Sequence, residues 1–286
     1  MNSKVYIKAA TQISIQQPLS EQWMIAPLAY AEPYVRSQDP NFRDWLNPLE
    51  SRRMGKILKR ALVTALKVMQ DSGIHQPDAI ITGTGLGCIE NTELFLGQLC
   101  REGEEMLKPT AFMQSTHNTI SSLIAIHCRC HGYNTTYSHK HLSFDAALLD
   151  AFTQMQLGDI STALVTGNDE LTPSWFSILR RTGSVGQPGQ PPASEASVAM
   201  MLTTDPADAL CEVEQVRLHY GAAAASFADS DISSLDYKQL FGECYTASGL
   251  GVYAAAHLLH AGQASRLQIV NENEEGSSCI QLKSVL

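Results

Sequence analysis

Asp78-Ala-Ile-Ile-Thr-Gly-Thr-Gly-Leu-Gly87 is the stretch on which the fold turns. Its first half is a short apolar run without polar alternation, the pattern of a strand buried on both faces. Gly83-Thr-Gly-Leu-Gly87 then reads as a tight turn, and residues 90–99 carry helical spacing. Strand, glycine turn and helix in that order make one half of a βαβ unit and assign the chain to the α/β class. The turn comes close to a dinucleotide fingerprint. That fingerprint requires a third glycine where Cys88 stands, and its strand belongs near the start of the chain, so a nicotinamide enzyme is disfavoured.

Working outward, strand and helix signals alternate. A strand is expected over about 5–15, then an irregular Pro- and Trp-containing stretch, then a helix over about 48–72 stopped by Gly73. Downstream, helices are expected over 115–130 and 143–157, and strands over 133–138 and 163–167. The run Gly183-Ser-Val-Gly-Gln-Pro-Gly-Gln-Pro-Pro192 is a loop by composition. Strands over 197–203 and 211–219 follow, then a small, polar stretch at 221–234. A helix over 246–260 and strands over 267–271 and 279–283 complete the chain. The order is βαβαβαβ followed by a shorter repeat. With no low-complexity linker, a single domain over 1–286 is expected, with an N-terminal half to 204 and a shortened half over 205–286.

Composition narrows the function. Of 286 residues, 44% are hydrophobic and 17% charged, ordinary for a globular protein. No apolar run reaches the roughly 18 residues needed to span a bilayer, and the start alternates rather than forming a signal-peptide core, so a cytoplasmic protein is expected. The seven scattered cysteines do not suggest a disulfide framework. Cys128-x-Cys130, flanked by His127 and His131, invites a metal reading. Neighbours two apart on a helix face different ways, and no second ligand pair stands at zinc-like spacing, so no metal and no cofactor are expected. A net charge of −9 excludes a nucleic-acid footprint. Arg52, Arg53, Lys56, Lys59 and Arg60 line one side of the first long helix. They read as a solvated face, or more sharply as a docking patch for an anionic carrier.

Several segments, in order, resemble the β-ketoacyl synthases of the thiolase-like fold. They are Arg52-Arg-Met at a helix head, the Gly83–Gly87 turn, and Pro109-Thr-Ala-Phe-Met-Gln-Ser-Thr-His-Asn118. Next come Asn134-Thr-Thr-Tyr-Ser-His-Lys-His-Leu-Ser-Phe-Asp-Ala-Ala-Leu-Leu-Asp-Ala151 at the family's nucleophile elbow, Gly158-Asp-x5-Val165-Thr-Gly-Asn-Asp-Glu170, and Glu195-Ala-Ser. The wording is closest to the short synthase-like proteins of aryl-polyene and flexirubin-type clusters. The resemblance implies a thiolase-like layered α-β-α fold with its second half truncated.

It also implies a cysteine nucleophile at a helix N-terminus and two histidines that decarboxylate malonyl and stabilise an enolate. Counting back from Asp150-Ala151, the nucleophile position falls on His141. The first histidine has no counterpart between Thr203 and Asp236. The second belongs to a Lys-x-x-x-Gly-His turn, which here reads Lys238-Gln-Leu-Phe-Gly242-Glu243. A carboxylate repels a developing enolate. The resemblance therefore implies no independent condensing activity. It implies instead a subunit like the chain length factors, paired with an active ketosynthase or with itself, and reaching acyl carrier protein mainly through that partner. The pairing strand would be 133–138. Phe112, Met113, Gln114, Thr116, His117 and Asn118 would cap the partner's pocket, and Tyr137, His139 and Ser143 would flank the contact.

Two other readings compete. An acyltransferase or thioester hydrolase could use His141 as base with a nearby serine such as Ser143 or Ser138, although no Gly-x-Ser-x-Gly elbow exists. A non-catalytic acyl-binding homodimer is the third. His117, His139 and His141 are expected to lie near one another. Asp169 and Glu170 are expected to bond loop amides.

Overall fold

The computed structural model describes residues 3–104, 107, 109–221, 229–274 and 276–285. The part of the 221–234 loop expectation that falls on 222–228 lies outside the described residues. In chain order the elements are β1 (Val5–Ile13), α1 (Pro48–Ser51), α2 (Lys56–Ser72), β2 (Ala79–Gly83), α3 (Ile89–Glu102), α4 (Pro109–Met113) and α5 (Thr119–Cys128). They continue with β3 (Tyr133–Tyr137), α6 (Ser143–Leu157), β4 (Thr162–Asp169), α7 (Pro173–Arg181), β5 (Ala196–Thr203) and β6 (Cys211–Tyr220). The last are α8 (Tyr237–Phe241), α9 (Ala247–His260), β7 (Arg266–Asn273) and β8 (Gly276–Lys283).

All eight strands join one sheet in the order β3-β2-β4-β5-β1-β6-β8-β7. β2 runs parallel to β3 and β4, and the remaining pairs are antiparallel. Ile81 sits opposite Thr135 on one side and Val165 on the other, so the strand chosen from sequence is central. The strands from β2 to β1 are buried on both faces, which explains their unbroken apolar runs. Val198, Met200 and Leu202 of β5 face a core shared with α6 and α9, while Ala199 and Met201 face one shared with α2 and α5. β6, β7 and β8 continue the same sheet and also pack on α6 and α9. The layered α/β fold is as expected, and the second half supplies three strands and one long helix.

The expected helix over 48–72 is two helices. Gly55 caps α2 in extended conformation, and residues 52–55 turn between α1 and α2. Arg52 and Arg53 therefore leave the α2 face. Arg60 is not on a basic surface at all: it is 1% exposed. Its Nε donates to Asp39 Oδ1 at 2.5 Å and an Nη donates to Glu195 Oε2 at 2.8 Å. Both expectations for that face, solvated or docking, fail at Arg60, because paired carboxylates can draw a guanidinium into the core. The expected helix over 115–130 is likewise shorter, with α4 preceding α5. α7 was not expected. Among the described residues no helix is long and apolar enough to cross a membrane.

Candidate functional site

The site begins where β2 meets α6. A Cβ on Gly83 would lie 2.6 Å from the Phe144 backbone, so only glycine lets the start of α6 abut the end of β2. Phe144 is fully buried there; burying such a ring contributes about 2–3 kcal/mol. The turn before α6 is an elbow. Lys140 adopts φ 47° in the left-handed region, a strained conformation for a side chain of this size, one residue before the counted nucleophile position. Ser143 Oγ closes the elbow, accepting from His139 N at 2.9 Å and donating to Lys140 O at 2.6 Å.

The second half of the chain holds this elbow in place. Asn271 Nδ2 donates to His141 O at 2.7 Å. Asp145, fully buried in the first turn of α6, accepts from Ser278 Oγ at 2.5 Å, Ser248 Oγ at 2.7 Å and Asn271 Nδ2 at 3.3 Å. Burial raises the Asp145 carboxyl above its ordinary value, and those three donors oppose the rise. One side chain thus ties α6 to α9, β7 and β8.

A second loop arrives from α8. Gly242, at φ 81°, turns the chain so that Glu243 N donates to Pro192 O and Ser194 N donates to Glu243 O, each at 2.8 Å. Lys238 Nζ meets Glu243 Oε2 at 2.9 Å, and Glu243 Oε1 lies 4.0 Å from His141 Nε2. The longer distance is too great for a hydrogen bond. The His141 and Tyr245 rings pack with centroids 4.5 Å apart.

Asp169 and Glu170 close β4 and hold the glycine turn. Asp169 Oδ1 accepts from Gly85 N at 2.9 Å and Leu86 N at 3.1 Å, and Glu170 Oε1 accepts from Glu90 N at 2.9 Å at the start of α3. The loop-amide expectation for this pair matches that geometry. Burial pushes each carboxyl up to about 7, against the pull of those amides. Cys244, buried beside them, has its thiol raised well above the ordinary range, first by burial and then by the Asp169 charge.

These loops enclose a cavity of about 530 Å³. His141, Lys238 and Glu243, separated in sequence, meet on its wall with Asp169, Glu170 and Cys244. Other expected positions lie elsewhere. Phe112 and Met113 on α4 are 57% and 70% exposed, and Thr116, His117 and Asn118 are exposed between α4 and α5; Gln114 is half-buried. The three histidines have different neighbours. His117 rests over Gly87, His139 packs against Tyr137 and Tyr220, and His141 packs against Tyr245.

Sequence reasoning missed Trp175, Ile178 and Leu179 of α7, Ser194, and the inward role of Asp169. A signal for α7 was present: Thr172 caps it by accepting from Trp175 N at 3.1 Å, with Pro173 next. A wider depression of about 660 Å³ between α2 and α5, lined by His75, His127 and Cys128, lies in the other helical layer. Among the described residues no group of three or more His, Cys, Asp or Glu could hold a metal ion.

The family described as "Beta-ketoacyl synthase, N-terminal domain" matches residues 22–240. No curated protein matches the chain. Among solved structures, a type II PKS acyl-carrier protein complex with its ketosynthase bound to the hexaketide (AntDE:AntF) is similar at TM-score 0.82 and 13% identity, over 100% of both chains. The ishigamide ketosynthase/chain length factor is similar at TM-score 0.80 and 15% identity, again over 100% of both. The ketosynthase ApeO in complex with its chain length factor ApeC, from Xenorhabdus doucetiae, gives TM-score 0.66 and 16% identity over 98% and 99% of the two chains. At these identities the likeness is one of fold.

Proposed function

The chain belongs to the β-ketoacyl synthase N-terminal domain family, and from that premise we propose that it is a non-condensing subunit that pairs with an active ketosynthase and helps shape its acyl tunnel. The observation that carries this reading is the triad at the cavity wall. His141 stands at the counted nucleophile position, and Glu243 lies 4.0 Å from it, held by Lys238. Decarboxylative condensation needs a thiolate there and neutral or cationic donors around a developing enolate. This wall offers an imidazole and a carboxylate instead. Cys244, the nearest thiol on the wall, is buried and hard to ionise.

The free surfaces support a partner. Among the described residues β3 is an edge strand with no strand on its outer side, an open place for another chain. Exposed Tyr133, Ile126, Phe112 and Met113 lie on β3, α5 and α4, the elements at and before that edge. Two of the similar structures are a ketosynthase with a chain length factor, and a third holds an acyl-carrier protein. The partner is accordingly an active ketosynthase, a second copy of this chain being the symmetric alternative. Acyl carrier protein is reached mainly through the partner. The product class we assign is the aryl-polyene type, on the wording of the sequence segments.

Ser143 does not favour the hydrolase reading. Its hydroxyl is spent within the elbow on His139 N and Lys140 O. The proposal is tested by incubating the isolated chain with acyl- and malonyl-carrier thioesters and recording intact mass and released thiol. It expects no acyl adduct and no turnover above buffer. An acyl mass on this chain, or thioester hydrolysis lost in His141→Ala, would refute it.

A further inference from the structure

The sheet ends in two edge strands, β3 and β7, and the chain treats them differently. Among the described residues neither has a strand on its outer side. β7 carries the sequence more prone to pair with another chain. Leu267-Gln-Ile-Val-Asn271 holds three aliphatic side chains and no glycine, proline or charge, the composition of a segment that adds readily to a foreign strand. Arg266 and Glu272, both exposed, put a charge at each end of this run.

The centre of the run is covered by residues 229–235. Gln268 N donates to Ser233 O at 3.0 Å and Gln268 O accepts from Leu235 N at 3.3 Å, a parallel bridge centred on Ser234. The Gln268 side chain anchors the same segment. Its Nε2 donates to Asp229 O and Ile232 O, each at 2.8 Å, and its Oε1 accepts from Asp229 N at 2.9 Å. Both amide hydrogens and the amide oxygen are thus spent on backbone groups of this segment. At 2% exposure, Gln268 is as enclosed as a residue of a central strand. The segment keeps its own shape as a turn, with Ile232 N donating to Asp229 O at 3.1 Å and Asp231 N to Asp229 Oδ1 at 3.0 Å. Ile232 itself is buried. Alternate residues of a strand turn their backbone groups to the same side, so Val270 presents the next outward N–H and C=O. That carbonyl accepts from Tyr237 Oη at 3.4 Å.

Charged ends and a covered centre are the means by which natural sheets stop edge-to-edge growth. The need is plain here. A sheet open at both edges can add β7 of one molecule to β3 of the next, a head-to-tail contact that does not close and grows into fibres. We propose that residues 229–235 are a guard that closes the β7 edge, so that strand pairing is confined to β3 and assembly stops at a pair of chains. Gln268 is the residue that holds the guard in place. This restriction is independent of which chain occupies the β3 edge.

The test combines sedimentation velocity of the full chain, over a wide concentration range, with backbone hydrogen exchange. The native chain is expected to stay no larger than a pair, with the Leu235 amide protected. Gln268→Ala removes the side-chain anchor. It is expected to speed exchange at Leu235 by about tenfold or more and to give assemblies whose mass grows with concentration. Ile232→Gly, in the guard itself, loosens it without touching the sheet and gives the same reading should Gln268→Ala not fold. Adding Val270→Pro to either variant is expected to return the chain to its native size. Proline there takes away an outward N–H of the edge strand and no ladder bond to β8. Four results would each overturn the proposal: a native chain that grows beyond a pair, Leu235 exchange unchanged in both variants, faster exchange without larger assemblies, or assemblies that survive Val270→Pro. None of them decides whether a ketosynthase seats on β3.

Discussion

Lys238 Nζ and Glu243 Oε2 close an ion pair of 2.9 Å across the end of α8, and the other oxygen of that carboxylate stops 4.0 Å from His141 Nε2. The pair sits where the resemblance places a lysine and a histidine. Both side chains are about three-quarters or more buried, with 25% and 18% exposure. At that depth each partner is left poorly compensated when the other is removed. A double-mutant cycle of Lys238→Met and Glu243→Gln in urea is expected to give a coupling energy of about 1–2 kcal/mol. A coupling near zero would mean that the pair is a surface contact and does not lock the loop.

Arg60 offers a larger effect. It is enclosed with Glu195, and its Nε bonds Asp39 at 2.5 Å. Glu195 also accepts from Ser37 N and Leu171 N, so the cluster supports the wall next to Glu170. Arg60→Met strands two carboxylates and is expected to cost about 3–5 kcal/mol. Arg60→Lys keeps the charge but loses the fork and should fall in between. Thermal or urea unfolding reads both. A neutral Arg60→Met would place Arg60 back on a solvated face.

Asp169 and Glu170 predict the pH dependence. Burial raises both to about 7, so between the ordinary carboxylate range and that value the folded chain binds more protons than the unfolded one. Stability from this pair is therefore complete at acid pH and lost as pH rises through about 7. At Asp169 burial is opposed by the Leu86 and Gly85 amides and the Thr246 and Thr84 hydroxyls; around Glu170 the charged neighbours are Glu90, Glu195 and Arg60. The urea midpoint is expected to be higher near pH 5.5 than near pH 8, and the Asp169→Asn/Glu170→Gln double variant to flatten that slope. A midpoint that rises with pH, or a slope untouched by the variants, would contradict the assignment.

Phe112 and Met113 are the proposed partner contacts on α4. Phe112 is 57% exposed but its ring packs on Phe95 with centroids 5.3 Å apart, whereas Met113 is 70% exposed. Met113→Glu should therefore leave the unfolding free energy within about 0.5 kcal/mol of the parent. The same change should abolish co-purification with a ketosynthase partner, since charges at the centre of an apolar contact are rarely tolerated. Loss of stability in the isolated chain would assign Met113 to the fold instead.

Much of this was legible in the chain. The α6 bounds, Ser143–Leu157, follow directly from its apolar spacing and the Gly158 stop. The meeting of His141, Lys238 and Glu243 was also readable, through the order of the family segments. What failed was long-range. Arg60 carries the local signature of a surface residue, and only Asp39 and Glu195, 21 and 135 positions away, draw it inward. Asp169 was read correctly as a ligand of loop amides. α7 itself escaped notice although Thr172-Pro173 announced it, because its apolar side packs on neither main core.

The proposed role is pairing with a working ketosynthase, which does the condensation. Native mass spectrometry of the chain co-expressed with the ketosynthases of its own genome, supplied with acyl and malonyl carrier substrates, tests it most directly. A stable one-to-one heterodimer is expected, with acyl mass on the partner and none on this chain. A homodimer that takes up acyl mass, or that turns over thioester alone, would contradict it.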